Sequence, residues 1–171
     1  MTENRRRMDR VLQPEYSEHI ADLSADKLRE MRNECLEIET EVSYVRRLAQ
    51  ARIDILQAEL DRRAAGGSVG DLIAALPQIL AGDEARPAPV DSRLTPTLAP
   101  SMDIPWNRGM ERLVSDSTLA NLPLLSEEEL QSTIEQLREF ESEVSVARKG
   151  LHNVIDCIEL DLAGRHKVGQ A

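Results

Sequence analysis

Two sets of five polar residues recur along the sequence with one spacing, and they hold the clearest potential for chemistry. The steps are 4, 3, 4 and 4 residues in both sets. The sets are Glu39, Ser43, Arg46, Gln50 and Asp54, and then Glu141, Ser145, Arg148, His152 and Asp156. Because positions three and four apart share one face of an α-helix, each set predicts a polar stripe along a helix. Carboxylates accept hydrogen bonds and arginine donates a planar pair, so these groups can pair across helices or bind a polar ligand.

The ordinary interpretation of a polar stripe is the charged flank of a coiled coil, whose residues pair across helices. Two details favour a binding role instead. Serine is a poor choice for stabilising the middle of a helix, yet Ser43 and Ser145 occupy the same place in both sets. In each set the arginine and the aspartate are eight residues apart, which is beyond the i,i+4 spacing of direct pairing on one helix.

Each polar stripe lies one position after an apolar seam, and the seams predict how the helices pack. The first seam is Leu28, Met31, Cys35, Ile38, Val42, Val45, Ala49, Ile53, Leu56 and Leu60, and the second is Leu130, Ile134, Leu137, Phe140, Val144, Ala147, Leu151, Ile155, Ile158 and Leu162. Steps of three and four residues are typical of a coiled coil. One additional four-residue step, from Ala49 to Ile53, is a stutter that should relax the supercoil locally.

Capping residues predict where the two helices begin. Ser24 is placed as an N-cap, and Ser126 with Glu129 has the pattern of a capping box. We therefore predict helices over 24–65 and 124–164, each about 60 Å long at 1.5 Å per residue.

The two helical stretches also resemble each other in sequence. Aligning residues 23–63 with residues 125–165 without gaps gives 13 identities in 41 positions. Neither helix can bury its seam alone, so the predicted fold is all-α, with two long helices forming an antiparallel coiled coil. An antiparallel arrangement brings the two centrally placed stripes side by side. Residues 1–23 and 165–171 are predicted to be tails.

A long linker is predicted between the helices, over residues 66–123. Six of the eight prolines fall within residues 77–105, which favours a largely flexible connector. Residues 69–80 are a candidate short amphipathic helix, and Trp106 is a candidate docking anchor. A local cap on the helix pair explains either feature equally well.

The charge of the chain is −10 and is unevenly distributed. Residues 25–63 carry a net charge of −1, whereas residues 126–165 carry −6. A surface of this sign does not attract a nucleic-acid backbone, so direct DNA binding is not expected. A basic protein partner would be attracted instead.

The remaining features of the sequence predict a cytoplasmic protein. The N-terminus lacks the apolar stretch of a signal peptide, and no segment approaches the ~20 apolar residues of a membrane span. Cys35 and Cys157 are expected to be free thiols in a reducing compartment. His152, Asp156 and His166 are too sparse a set to predict a metal site, and the sequence has no nucleophile–base pair or phosphate loop. We therefore expect neither an enzyme nor a metal protein.

At the polar stripes the sequence resembles the RsiG family of anti-sigma factors. The first set matches the cyclic di-GMP signature of that family, E-x3-S-x2-R-x3-Q-x3-D, at all five positions. The second set departs from it once, with His152 in place of Gln. In that family the motif is carried on each helix of an antiparallel coiled coil, so the resemblance covers both helices.

The resemblance implies that the stripes bind cyclic di-GMP, as a dimer of nucleotides. Arg46 and Arg148 are expected to contact bases or phosphates, since an arginine fork fits the O6 and N7 acceptors of guanine. Asp54 and Asp156 are expected at the guanine edges. The other motif residues would complete the hydrogen bonds or orient the arginines, and they are Glu39, Ser43, Gln50, Glu141, Ser145 and His152.

The resemblance also implies the partner. Members of the family bind a WhiG-type sigma factor, which controls sporulation genes, and hold it inactive when cyclic di-GMP is bound. The alternative is a ligand-independent coiled-coil adaptor, which explains the seams and the linker but not the repeated stripe. An Arg46→Ala variant that leaves partner binding unchanged would favour the adaptor.

Overall fold

The computed structural model describes residues 3–80 and 121–168, with the side chains of residues 7–80 and 121–165. All regular elements in these ranges are helical. They are α1 (Glu3–Val11), α2 (Ala25–Ala64), α3 (Val69–Leu80) and α4 (Glu127–Val168), with short 3-10 turns at Pro14–Tyr16, Ile20–Asp22 and Leu122–Leu124. The two long helices, α2 and α4, pack together, which confirms the predicted fold class. Most of the predicted linker, including Trp106, lies outside the described residues.

The long helices begin at the predicted caps. The backbone N–H of Lys27 donates to Ser24 Oγ (3.2 Å) just before α2. At α4 the capping box is complete, because the Glu129 N–H donates to Ser126 Oγ (3.2 Å) and the Ser126 N–H donates to the Glu129 carboxylate (2.8 Å). Each bond satisfies a backbone donor that has no partner within the helix.

The two long helices end differently. Helix α2 ends at Ala64, and Gly66 follows it with a φ of +67°, a left-handed conformation that favours glycine. Helix α4 continues to Val168, four residues past the end predicted at Gly164. A single glycine costs a helix only about 1 kcal/mol. Here Arg165 also ties the last turns to Asp161 and to the backbone carbonyl of Leu23.

The predicted seam of α4 is buried at eight positions, and Ala147 and Leu162 are half-buried. The seam of α2 departs from the prediction in its second half. There Arg52 and Glu59 are only 5% and 2% exposed, whereas Ile53 and Leu60 are half-buried. The buried positions of α2 therefore keep the heptad spacing, and two of them are charged residues. The apolar step predicted as a stutter instead places Ile53 and Leu60 at the edge of an apolar cluster that includes Leu56 of the seam.

That cluster belongs to one of the two compact units into which the chain divides, which includes the described residues 45–80 and 121–143. In this unit the second half of α2 packs against the first half of α4. The Arg63 side chain donates to the Leu125 carbonyl (2.7 Å), and Arg138 contacts Gln57 (3.4 Å). Residues later in α2 therefore contact residues earlier in α4, so the two helices are antiparallel in this unit.

Helix α3 covers the same unit from one side. Its Leu72 is 8% exposed and joins a buried cluster with five other apolar residues. They are Leu56, Leu122, Leu130, Ile134 and Leu137. The segment that favoured a short amphipathic helix is thus helical and packed, and its Ile73 faces solvent at 61% exposure.

The other compact unit includes the described residues 3–44 and 144–168. Within its described part, the first half of α2 packs against the second half of α4. Arg165 contacts the Leu23 carbonyl and Arg148 contacts Glu39. This unit is also antiparallel.

Helix α1 and the turns after it lie within residues 1–23, which are predicted to be a tail, and begin at Glu3. Arg7 donates to Glu37 (3.0 Å) and to Glu34 (3.4 Å) on α2. Tyr16 Oη donates to the same Glu34 (3.1 Å), and Val11 is fully buried. The segment packs because it pairs basic and apolar residues with complementary positions on α2. Within the described residues, no helix has the length and low charge needed to cross a bilayer.

Candidate ligand-binding site

Four stripe residues meet in the unit that contains the start of α2, and we call them the Glu39 half-site. Glu39 and Ser43 come from α2, and Arg148 and His152 come from α4. Arg148 Nε donates to Glu39 Oε1 (3.0 Å) and to Ser43 Oγ (2.7 Å). Ser43 Oγ in turn donates to Glu39 Oε1 (2.7 Å), and His152 Nε2 lies 3.1 Å from the same oxygen.

This network keeps a deeply buried carboxylate ionised. The Glu39 side chain is only 3% exposed, and burial by itself raises the pKa of a carboxyl group. Hydrogen bonds from Ser43 and His152 and the charge of Arg148 outweigh that effect, so the pKa of Glu39 lies below its ordinary value. Because a carboxylate accepts and does not donate, His152 must carry a hydrogen on Nε2 in this arrangement.

The corresponding residues meet in the other unit, and we call them the Arg46 half-site. Arg46 and Gln50 come from α2, and Glu141 comes from α4. Gln50 Nε2 donates to Glu141 Oε1 (3.2 Å), and Arg46 Nη1 lies 3.4 Å from the same oxygen. The side chains of Arg46 and Glu141 are 22% and 23% exposed. Arg46 Nε is buried and has no hydrogen-bond partner.

At least seven of the ten predicted site residues therefore take part in cross-helix contacts. Ser145 is half-buried on α4, four residues after Glu141. Asp54 and Asp156 are exposed, nearer the ends of their helices. No three His, Cys, Asp or Glu side chains within the described ranges are grouped closely enough to hold a metal ion.

The two half-sites use equivalent residues of the sequence repeat. In each, a glutamate of one helix meets the arginine and the Gln or His of the other. A further equivalent pair, absent from the sequence prediction, lies at the ends of the helices. Arg63 donates to the carbonyls of Leu122 and Leu125, and Arg165 donates to those of Ile20 and Leu23. These four carbonyls are related by the same offset of 102 residues, so the duplication extends to three-dimensional contacts.

One sequence signal could have identified the terminal arginines. Arg63 and Arg165 are identical in the repeat, and each has an acidic residue four positions earlier. Those residues, Glu59 and Asp161, accept from the arginines in the structure. The backbone carbonyls that accept from the arginines could not be identified from the sequence, because every residue has one.

The fold is all-helical, with two long helices that pack together and carry the same set of polar contacts twice. The chain belongs to the RsiG-like family, whose sequence model matches residues 14–80 and 116–171 and so includes both stripes. No curated protein sequence matches the chain significantly. Membership of this family indicates a regulator of the anti-sigma-factor type, with a sigma factor as partner and a role for a regulatory ligand.

Proposed function

We propose that this protein is a non-enzymatic anti-sigma factor that binds cyclic di-GMP at its two half-sites. When loaded with the nucleotide, it sequesters a WhiG-type sigma factor and so represses transcription of sporulation genes. When the nucleotide falls, the sigma factor is released. The proposal rests on the family and on one observation of the site.

That observation is the repeated meeting of motif residues across the two long helices. In both half-sites the arginine of one stripe lies against the glutamate of the other, and all four side chains are at least partly buried. Partial burial strengthens electrostatic contacts, because water screens them less. A ligand that bridges the helices there can use donors and acceptors from both.

The chemistry of these groups suits a guanine nucleotide with two phosphates. An arginine can donate two parallel hydrogen bonds to guanine O6 and N7, or to phosphate oxygens. A carboxylate can accept from the N1–H and N2–H groups of guanine. Arg46 and Arg148 also bring positive charge to a dianionic ligand on a chain whose net charge is −10. We assign Asp54 and Asp156, which are exposed, to the guanine edges.

Loading the ligand exchanges one set of contacts for another. Arg148 Nε now donates to Glu39 and Ser43, so a nucleotide that binds this nitrogen must replace these contacts. The helices and the nucleotide together would then form the surface that binds the sigma factor. Coupling of this kind is reciprocal, so the bound sigma factor tightens the nucleotide by the same factor.

The acidic charge of helix α4 is consistent with a basic partner. Its first turn carries three exposed glutamates, Glu127, Glu128 and Glu129. A sigma factor binds DNA and therefore offers basic surfaces, and complementary charge speeds and orients association.

Calorimetric titration of cyclic di-GMP, with and without a WhiG-type sigma factor, tests the proposal. Wild type is compared with an Arg46→Ala/Arg148→Ala variant and with an Arg47→Ala/Lys149→Ala control, in which the neighbouring exposed cations are removed. We expect wild type and control to bind the nucleotide and to bind it more tightly with the sigma factor. The site variant should lose both effects while keeping its helical circular dichroism. Absence of nucleotide binding by the wild type would leave only the adaptor function.

A further inference from the structure

If the proposed function holds, the two half-sites should not load together. We infer that the nucleotide occupies the Arg46 half-site first and the Glu39 half-site only afterwards. The inference rests on three differences between two sites that derive from the same motif. They concern the arginine, the buried glutamate, and the single position where the copies differ in chemical type.

The two arginines are bound to different extents before the ligand arrives. Arg148 Nε makes two hydrogen bonds, of 3.0 and 2.7 Å. Arg46 Nε is buried without a hydrogen-bond partner, and its Nη1 contact with Glu141 is 3.4 Å long. A buried donor without an acceptor costs free energy, and an oxygen of the ligand removes that cost at Arg46. At Arg148 the corresponding Nε–H is already shared between two good acceptors, so a ligand that takes this donor must displace them.

The two glutamates differ in what they lose when the ligand arrives. The Glu39 side chain is 3% exposed, whereas that of Glu141 is 23% exposed. When Arg148 turns to a ligand, Glu39, which water hardly reaches, loses its strongest charge partner and keeps only its contacts with Ser43 and His152. Glu141 is reached by water and can be solvated when Arg46 turns away. The cost of separating a buried carboxylate from its cation therefore falls on the Glu39 half-site.

The exchange of Gln50 in one half-site for His152 in the other also favours earlier loading of the Arg46 half-site. An amide nitrogen carries two hydrogens, so Gln50 can keep its bond to Glu141 and donate the second hydrogen to a ligand. The Nε2 atom of His152 carries one hydrogen, and Glu39 accepts it. His152 can offer that donor to a ligand only by leaving Glu39. The substitution of His for Gln thus makes the second half-site harder to open.

Nitrogen-15 NMR of the arginine Nε–H groups tests the order directly during a cyclic di-GMP titration of the full chain. The Arg46 and Arg148 signals are assigned from their disappearance in Arg46→Ala and Arg148→Ala. We expect the Arg46 signal to reach half its change at about tenfold less nucleotide than the Arg148 signal, equivalent to about 1.4 kcal/mol. His152→Gln should bring the two midpoints closer together. Arg47→Ala and Lys149→Ala should leave both unchanged.

Calorimetry of the two arginine variants gives an independent readout. Arg46→Ala should weaken the tighter binding event at least tenfold, and Arg148→Ala should remove only the weaker event. Simultaneous movement of the two NMR signals, earlier movement of Arg148, or loss of the tighter event in Arg148→Ala would overturn the inference while leaving nucleotide binding intact. If wild type gives neither heat nor shifts, the proposed function fails instead.

Discussion

Arg63 and Arg165 show how single residues fix the ends of the long helices. Each donates to carbonyls of the turn that precedes the other long helix, at distances of 2.7 and 3.0 Å to Leu125 and Leu122 for Arg63. Carbonyls in such turns lack the partners that helical carbonyls have, and buried ones must be satisfied. A charged donor does so with bonds stronger than neutral ones. Glu59 and Asp161 hold the two arginines in place.

Replacing Arg63 by methionine keeps an apolar stem but removes both donors. We expect Arg63→Met to lower the free energy of unfolding by about 1.5–3 kcal/mol, the usual value for hydrogen bonds to a charged group. Urea denaturation followed by circular dichroism measures this. Arg47→Met is the matched control, since Arg47 is exposed on the same helix. Equal stability of the two variants would contradict this role for Arg63.

Glu59 should make stability depend on pH. Hydrogen bonds from Arg62 and Arg63, with burial opposing them, lower the pKa of Glu59 from 4.5 to about 2. Its contribution is therefore fully present above pH 4.5 and is lost as the pH falls toward 2. We expect wild type to exceed Glu59→Gln by at most about 3 kcal/mol at neutral pH. Urea denaturation between pH 2 and 6 should show this difference closing on acidification, and a constant difference would refute the assignment.

At the scale of elements, α3 is the clearest case of a helix held by one face. Leu72 points into the apolar cluster and Ile73, its neighbour, is 61% exposed. Leucine and isoleucine lose the same number of carbon atoms when replaced by alanine, so a difference in stability between the two variants reports the effect of burial.

Leu72→Ala should destabilise the protein by about 2–3 kcal/mol, because it removes buried methyl groups and leaves a cavity. Ile73→Ala should change stability by less than about 0.5 kcal/mol. Thermal or urea denaturation of both variants measures the contrast. Similar losses in the two variants would mean that α3 does not pack through Leu72.

Features that depend on neighbouring residues in the sequence could be predicted. Features that depend on packing between segments far apart in the chain could not. The caps at Ser24 and Ser126 need only neighbouring residues, and the repeated motif needs only helical spacing. The burial of Arg52 in place of Ile53 depends on where other segments pack. The same holds for α1, whose Arg7 finds acceptors about 30 residues further along the chain.

At the scale of the whole molecule, net charge governs how fast a partner arrives. The chain carries 31 acidic and 21 basic residues, and the exposed start of α4 is acidic. Long-range attraction of a basic partner is screened by salt over about 10 Å at 0.1 M ionic strength.

We therefore expect the association rate with a WhiG-type sigma factor, measured with saturating cyclic di-GMP, to fall about tenfold between roughly 0.05 and 0.5 M salt. The dissociation rate should change much less, since it depends on short-range contacts. Surface plasmon resonance gives both rates. A salt-independent association rate would exclude attraction by the acidic surface.

A hairpin made of two similar halves has two similar ends, and Gly150 makes them distinguishable. A Cβ atom at Gly150 would lie 2.8 Å from a methyl carbon of Leu12, so the bare backbone leaves room for the N-terminal segment. The equivalent position on α2 is Leu48, which carries a full side chain. The two copies of the repeat therefore differ at the place where the N-terminal segment packs on α4.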